Sequence, residues 1–197
     1  MKTLEDAWSW YRAVAEGMKR LTHLAKFWGQ FPWGRGDEWV AQVERDNVLR
    51  HVEAVNLTTD AQAVTDEQDD LAILVLFSVF EASVREHLKA QLTPELERLR
   101  HPSLVKAGQE VEEAVEHGSF GRLLQAFKLQ EKDKNLVDQV NQIRYWRNWV
   151  AHGRRPELRP GAEVRPRDAY ERLNEFLALL RSHDPLNLQP SAGNEAD

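Results

Sequence analysis

The sequence predicts an all-α fold, an antiparallel bundle of six to seven helices. Three observations predict it. Apolar residues recur at steps of three and four along most of the chain. Glycine and proline cluster between these stretches. No stretch alternates apolar and polar residues as a half-buried strand does.

In residues 4–28, Leu4, Trp8, Tyr11, Ala15, Met18, Leu21, Ala25 and Trp28 fall on one face of a long helix. Gly29–Gly36, which contains Pro32, breaks it. A second helix is expected over about 38–55 on Trp39, Val43 and Val52, with Asp46, Asn47 and Arg50 interrupting its pattern. Thr65 and Gln68 have the spacing of a capping box, which predicts a helix start at about Asp66 and a run to Leu92, with Pro94 stopping it or lying just beyond it. Part of that run, LAILVLFSVF, is apolar on every side, as a central helix is. Pro102 and Ser103 open another helix, on Leu104, Gly108, Val111 and Val115, that Gly118 ends. Phe120, Leu124 and Phe127 make a shorter one. Leu136, Val140, Ile143 and Val150 mark a helix over about 133–152, with Gly153 placed as its C-terminal glycine. Pro156, Pro160 and Pro166 make 154–166 an ordered surface loop. The last helix covers about 167–182, on Tyr170, Leu173, Phe176, Leu177 and Leu180. Residues 1–183 are expected to form one domain, the first 60 being a candidate extension, and 184–197 a polar, flexible tail.

The bulk properties narrow the function classes. Without cysteine there is no disulfide and no thiolate metal site, which fits a reducing, cytoplasmic setting. The longest apolar run is about half of what a membrane span needs, so no membrane association is expected. The net charge of −6 disfavours a general nucleic-acid coat. That charge is unevenly spread. Residues 141–167 hold seven arginines (144, 147, 154, 155, 159, 165 and 167) against Glu157 and Glu163, a surplus of five, which leaves −11 on the rest. No pair of histidines has metal-ligand spacing, there is no glycine-rich phosphate loop, and no serine sits in a nucleophile elbow.

The informative segment is IRYWRNWVAHG, 143–153. Arg147 stands on the apolar stripe 136, 140, 143, 150. A cation there costs several kcal/mol, to order of magnitude, unless a carboxylate such as Glu81, a partner subunit or a phosphate compensates it. His152 lies five residues on, about 140° around a regular helix from Arg147. The two converge only through a kink at the helix end or across a two-fold axis. Histidine exchanges protons near neutral pH, and arginine offers phosphate a planar fork that never deprotonates. Asn148 has the groups to orient the histidine or bind a phosphate oxygen. Arg144, Arg154 and Arg155 are candidate RNA-backbone contacts, and Tyr145, Trp146 and Trp149 candidate stacking surfaces. Each has a plainer reading: His152 can serve the helix dipole, Arg147 an ion pair, and the arginines a solvated connector.

RNWVAHG resembles the signature of the HEPN superfamily, an arginine, a polar residue, three variable positions and a histidine, matched by Arg147, Asn148 and His152. The helix LFSVFEASVREHL, with Glu81, is similar to an inner HEPN helix that carries a supporting polar residue. The likeness is sharp over about 133–155, diffuse over about 67–92 and absent from the first 60 residues. It implies a metal-independent ribonuclease without cofactors, in which two motifs meet at a homodimer interface. The RNA 2′-hydroxyl attacks the adjacent phosphate and leaves a 2′,3′-cyclic phosphate. It also implies a toxin or antiviral role with an antitoxin of nucleotidyltransferase type, or a non-catalytic module that binds RNA, a nucleotide or a protein.

Overall fold

A computed structural model describes residues 1–128 and 131–182. The predicted tail, 184–197, lies outside the described residues. Among the described residues there are seven α-helices and no strand: α1 (Leu4–Trp28), α2 (Glu38–Arg45), α3 (Ala54–Arg98), α4 (Pro102–His117), α5 (Phe120–Ala126), α6 (Glu131–Ala151) and α7 (Pro166–Ser182). Single 3-10 turns occur at Leu49–His51 and Pro156–Leu158. No helix among them is long and apolar enough to cross a membrane. The all-α helical bundle is therefore observed.

The chain divides into two compact units, Trp8–Ala72 and Met1–Ala7 together with the chain from Ile73 onward. The boundary thus falls after Ala72, beyond the 60 residues that the sequence marks as a candidate extension.

In the Trp8–Ala72 unit, Trp28 is buried and its indole donates to the Val52 carbonyl at 2.7 Å. Trp28, Phe31, Trp33 and Trp39 form a chain of edge-on and tilted ring contacts. These tryptophans pack against aromatic neighbours, as an aromatic-rich segment between two helices should. The helix expected over 38–55 is cut short. Asp46 ends it by accepting the backbone N–H groups of Val48 and Leu49 at 2.8 and 2.9 Å, an aspartate turn that competes with the helical ladder.

The largest departure concerns α3. It begins at Ala54, twelve residues before the expected start, and the Thr65–Gln68 capping box does not form. Thr65 sits mid-helix with its hydroxyl donating back to the Ala61 carbonyl at 2.7 Å; Thr58 and Thr59 do the same to Ala54 and Val55. No glycine or proline interrupts residues 37–93, so nothing stops the helix where the polar cluster lies. Nor does Pro94 end it. One more turn follows, and its Leu96, with Leu99 just past the helix end, packs on Gly108 of α4: a Cβ built at Gly108 would meet Leu96 Cδ2 at 2.5 Å.

The core of the larger unit is aromatic and aliphatic. Phe77 and Phe80 of α3 meet Phe120 of α5, and Phe80 meets Phe176 of α7. Ile73, Leu76, Val84, Leu124, Val137, Val140 and Leu173 are fully buried beside them. Helix α6 packs along α7 and against α5. This packing leaves the other side of α6 facing outward, and that side carries the candidate site.

Candidate functional site

The site is built on the C-terminal half of α6 and the loop after it. The helix ends as its sequence predicts. Gly153 has φ +80°, the left-handed conformation that costs glycine least. The N–H of Gly153 bonds the Val150 carbonyl at 3.1 Å, and that of Arg154 bonds Trp149 at 2.9 Å, the paired pattern that closes a helix through a left-handed glycine. Arg154 itself has φ +54°. The two left-handed residues turn the chain back, and Trp149 Nε1 fixes the return by donating to the Arg155 carbonyl at 2.8 Å.

This return creates a cleft of about 500 Å3 lined by Gln142, Tyr145, Asn148, Trp149 and His152 of the helix end and by Arg155, Leu158, Pro160, Gly161 and Ala162 of the loop. Five predicted residues therefore share one cavity: Tyr145, Asn148, Trp149, His152 and Arg155. His152 is exposed, next to the helix C-terminus.

Arg147 is not among the lining residues. It is half-buried on the opposite side of α6, with its guanidinium 5.9 Å from the Phe77 ring centre. Nη1 donates to Asn148 Oδ1 at 3.0 Å, while Nε is buried without a hydrogen-bond partner. Among the described residues no carboxylate pairs with it. Glu81 does not serve as its counter-ion: it accepts from Arg85 at 2.8 Å, and Arg85 also donates to the carbonyls of Val115 and Gly118, which closes the end of α4. The α6 backbone runs regularly to Ala151, so the kink that would bring Arg147 and His152 together within one chain is absent.

The remaining predicted residues divide. Trp146 is only 5 % exposed, so it is a core residue and not an open stacking surface. Its ring meets Trp149 at 5.0 Å, and Arg159 lies over both indoles, at 6.0 and 5.6 Å. Tyr145 is exposed, with the Arg144 guanidinium 4.5 Å from its ring centre. Arg144 is held by its Nε bond to the buried Asn141 Oδ1 at 3.1 Å. It supports the Tyr145 ring and does not line the cleft. Gln142, Leu158 and Pro160 were not singled out by the sequence. Gln142 could have been, since 142, 145, 149 and 152 step by three and four along one helix face.

Such an arrangement offers a proton-exchanging imidazole, an amide and a guanidinium around an apolar, aromatic cleft. No protein-family model, curated protein or solved structure matches the chain.

Proposed function

We propose that the protein is a metal-independent endoribonuclease of the HEPN kind, active as a homodimer. The observation that supports it best is the pair Arg147–Asn148. Among the described residues no carboxylate pairs with this cation on the apolar stripe, and the side-chain bond it makes there goes to an amide that also lines the His152 cleft. A half-buried guanidinium without a counter-ion is under-compensated, and a phosphate is a ligand that repays it well.

In this reading the imidazole of one His152 takes the proton from the RNA 2′-hydroxyl as that oxygen attacks phosphorus. The bond to the 5′-oxygen breaks, and the leaving oxygen takes a proton from the other subunit's His152. A 2′,3′-cyclic phosphate and a 5′-hydroxyl result. Arg147 binds the phosphate oxygens as charge builds, and Asn148 holds the guanidinium and the histidine side in one frame. A second subunit is needed, because Arg147 does not line the His152 cleft of its own chain. A toxin or defence role, restrained by a nucleotidyltransferase-type antitoxin in the cytoplasm, extends the same proposal.

The test is cleavage of RNA in excess EDTA by purified protein. His152→Ala should abolish it with the helical circular dichroism unchanged. Persistent cleavage by that variant would sink the mechanism. The placement of Arg147 outside the cleft favours a second reading, a non-catalytic RNA- or nucleotide-binding module, for which tight binding without turnover is the signature.

A further inference from the structure

We propose that the cleft between α6 and the 155–162 loop seats one unpaired nucleobase, stacked on Tyr145 and read at its edge by the Gln142 amide. The ligand class rests on the RNA-cleaving reading above; the seat itself rests on geometry.

The cavity is shaped by contacts within the chain itself. The left-handed turn at Gly153 and Arg154 and the Trp149–Arg155 bond fix its two walls. Its volume, about 500 Å3, is that of a small-molecule site. The exposed surface of the cavity is mainly apolar, with Tyr145 and Trp149 on the helix side and Leu158, Pro160, Gly161 and Ala162 on the loop side. A flat, weakly hydrated ring suits such a slot.

The two aromatic residues differ in what already touches them. Trp149 is engaged by Trp146, by Arg159 and through its Nε1. Tyr145 is 55 % exposed and carries a cation at 4.5 Å, held in place by Asn141 and backed by Gly121, where a Cβ would come within 3.0 Å of Arg144 Cζ. A braced, exposed ring with a guanidinium against it is a platform for a base. One turn earlier on the same face, Gln142 is exposed at the cleft margin. Its amide has both a donor and an acceptor, which base edges match in different ways.

Charge selects the occupant. The segment that builds the cleft holds the surplus of five positive charges on an otherwise acidic chain, and Arg155 lines the cleft itself. An anionic ligand with an apolar, planar part fits both features, and a nucleotide is one. Because Asn148 and His152 line the same cavity, the seated base belongs to a nucleotide beside the cut, and the seat would set base preference there.

The test is calorimetry of the full chain with each of the four ribonucleoside 5′-monophosphates and with ribose 5-phosphate, which lacks a base. At least one nucleotide should bind tenfold or more tightly than ribose 5-phosphate. Tyr145→Ala should lose at least tenfold, Tyr145→Phe should keep wild-type binding, and Gln142→Ala should compress the spread among the four bases. Equal binding of ribose 5-phosphate, no binding of any nucleotide at millimolar concentration, or unchanged binding by both alanine variants overturns the proposal. RNA cleavage without nucleotide preference would sink this inference and leave the nuclease reading. Nucleotide binding without cleavage would do the reverse.

Discussion

Arg147 and Asn148 are sequence neighbours whose side chains also meet, Nη1 to Oδ1 at 3.0 Å, and this bond joins the buried stripe of α6 to the outward cleft. Consecutive helical side chains point about 100° apart and do not ordinarily face one another. Here a long guanidinium reaches around the helix to an amide because no carboxylate among the described residues holds it. The fold thus carries a buried Nε with no acceptor.

Replacing Arg147 by methionine, a similar volume without polar atoms, should therefore raise stability by about 1 kcal/mol, since an unsatisfied buried donor costs about 1–3 kcal/mol. The same variant should lose RNA cleavage. Urea unfolding checks the first part. A loss of about 3 kcal/mol, the size expected for a broken buried ion pair, would mean that the guanidinium is a structural member.

The end of α6 makes a second prediction. Gly153→Ala places a Cβ in a left-handed backbone and should cost about 1 kcal/mol, whereas Gly153→Asn should cost less, because asparagine tolerates that region. Alanine there meets no clash, since nothing lies within 4 Å of a Cβ at this position. Equal losses for the two in urea unfolding would show that the left-handed conformation is not what the glycine supplies.

Much of the fold is legible because local patterns and packing agree over α1, α4, α6 and α7, and Gly153 marked the end of α6 by its conformational freedom alone. The same reasoning failed at Thr65. A threonine three residues before a glutamine matches a cap, but a cap forms only where the chain has already left the helix, and from 54 to 64 nothing makes it leave. In the site, charge type and motif spacing pointed to Asn148 and His152, which line one cleft. They did not reveal that Trp146 is buried or that the loop returns over the helix, because both depend on tertiary packing. The 140° between Arg147 and His152 was the one geometric fact that helical periodicity supplied in advance, and α6 keeps it by remaining regular.

Thr65 distinguishes the two pictures quantitatively. As an N-cap, its replacement by alanine would cost about 1 kcal/mol. As an exposed mid-helix residue that back-bonds to Ala61, it should instead gain a few tenths of a kcal/mol from alanine's higher helix propensity. Thermal unfolding of Thr65→Ala gives the sign, and a clear loss would return the helix start to Asp66.

Tyr11 makes the stability of the Trp8–Ala72 unit depend on alkaline pH. Burial first, and then the hydrogen bond that its hydroxyl donates to Asp69 Oδ1 at 2.8 Å, push its pKa up from 10.0 to about 12. A folded value above the unfolded one means that the native state holds this proton more tightly. The resulting stabilisation is complete below about pH 10 and disappears as the pH rises through about 12. Tyr170 also ionises late, held up by its hydrogen bond to Glu5. Absorbance at 295 nm should therefore show a phenolate step near pH 12 that Tyr11→Phe removes and Tyr170→Phe leaves in place. If the Tyr11→Phe difference spectrum were instead centred near pH 10, the Tyr11–Asp69 bond would not be holding the proton, and the tie it makes between α1 and α3 would contribute nothing at alkaline pH.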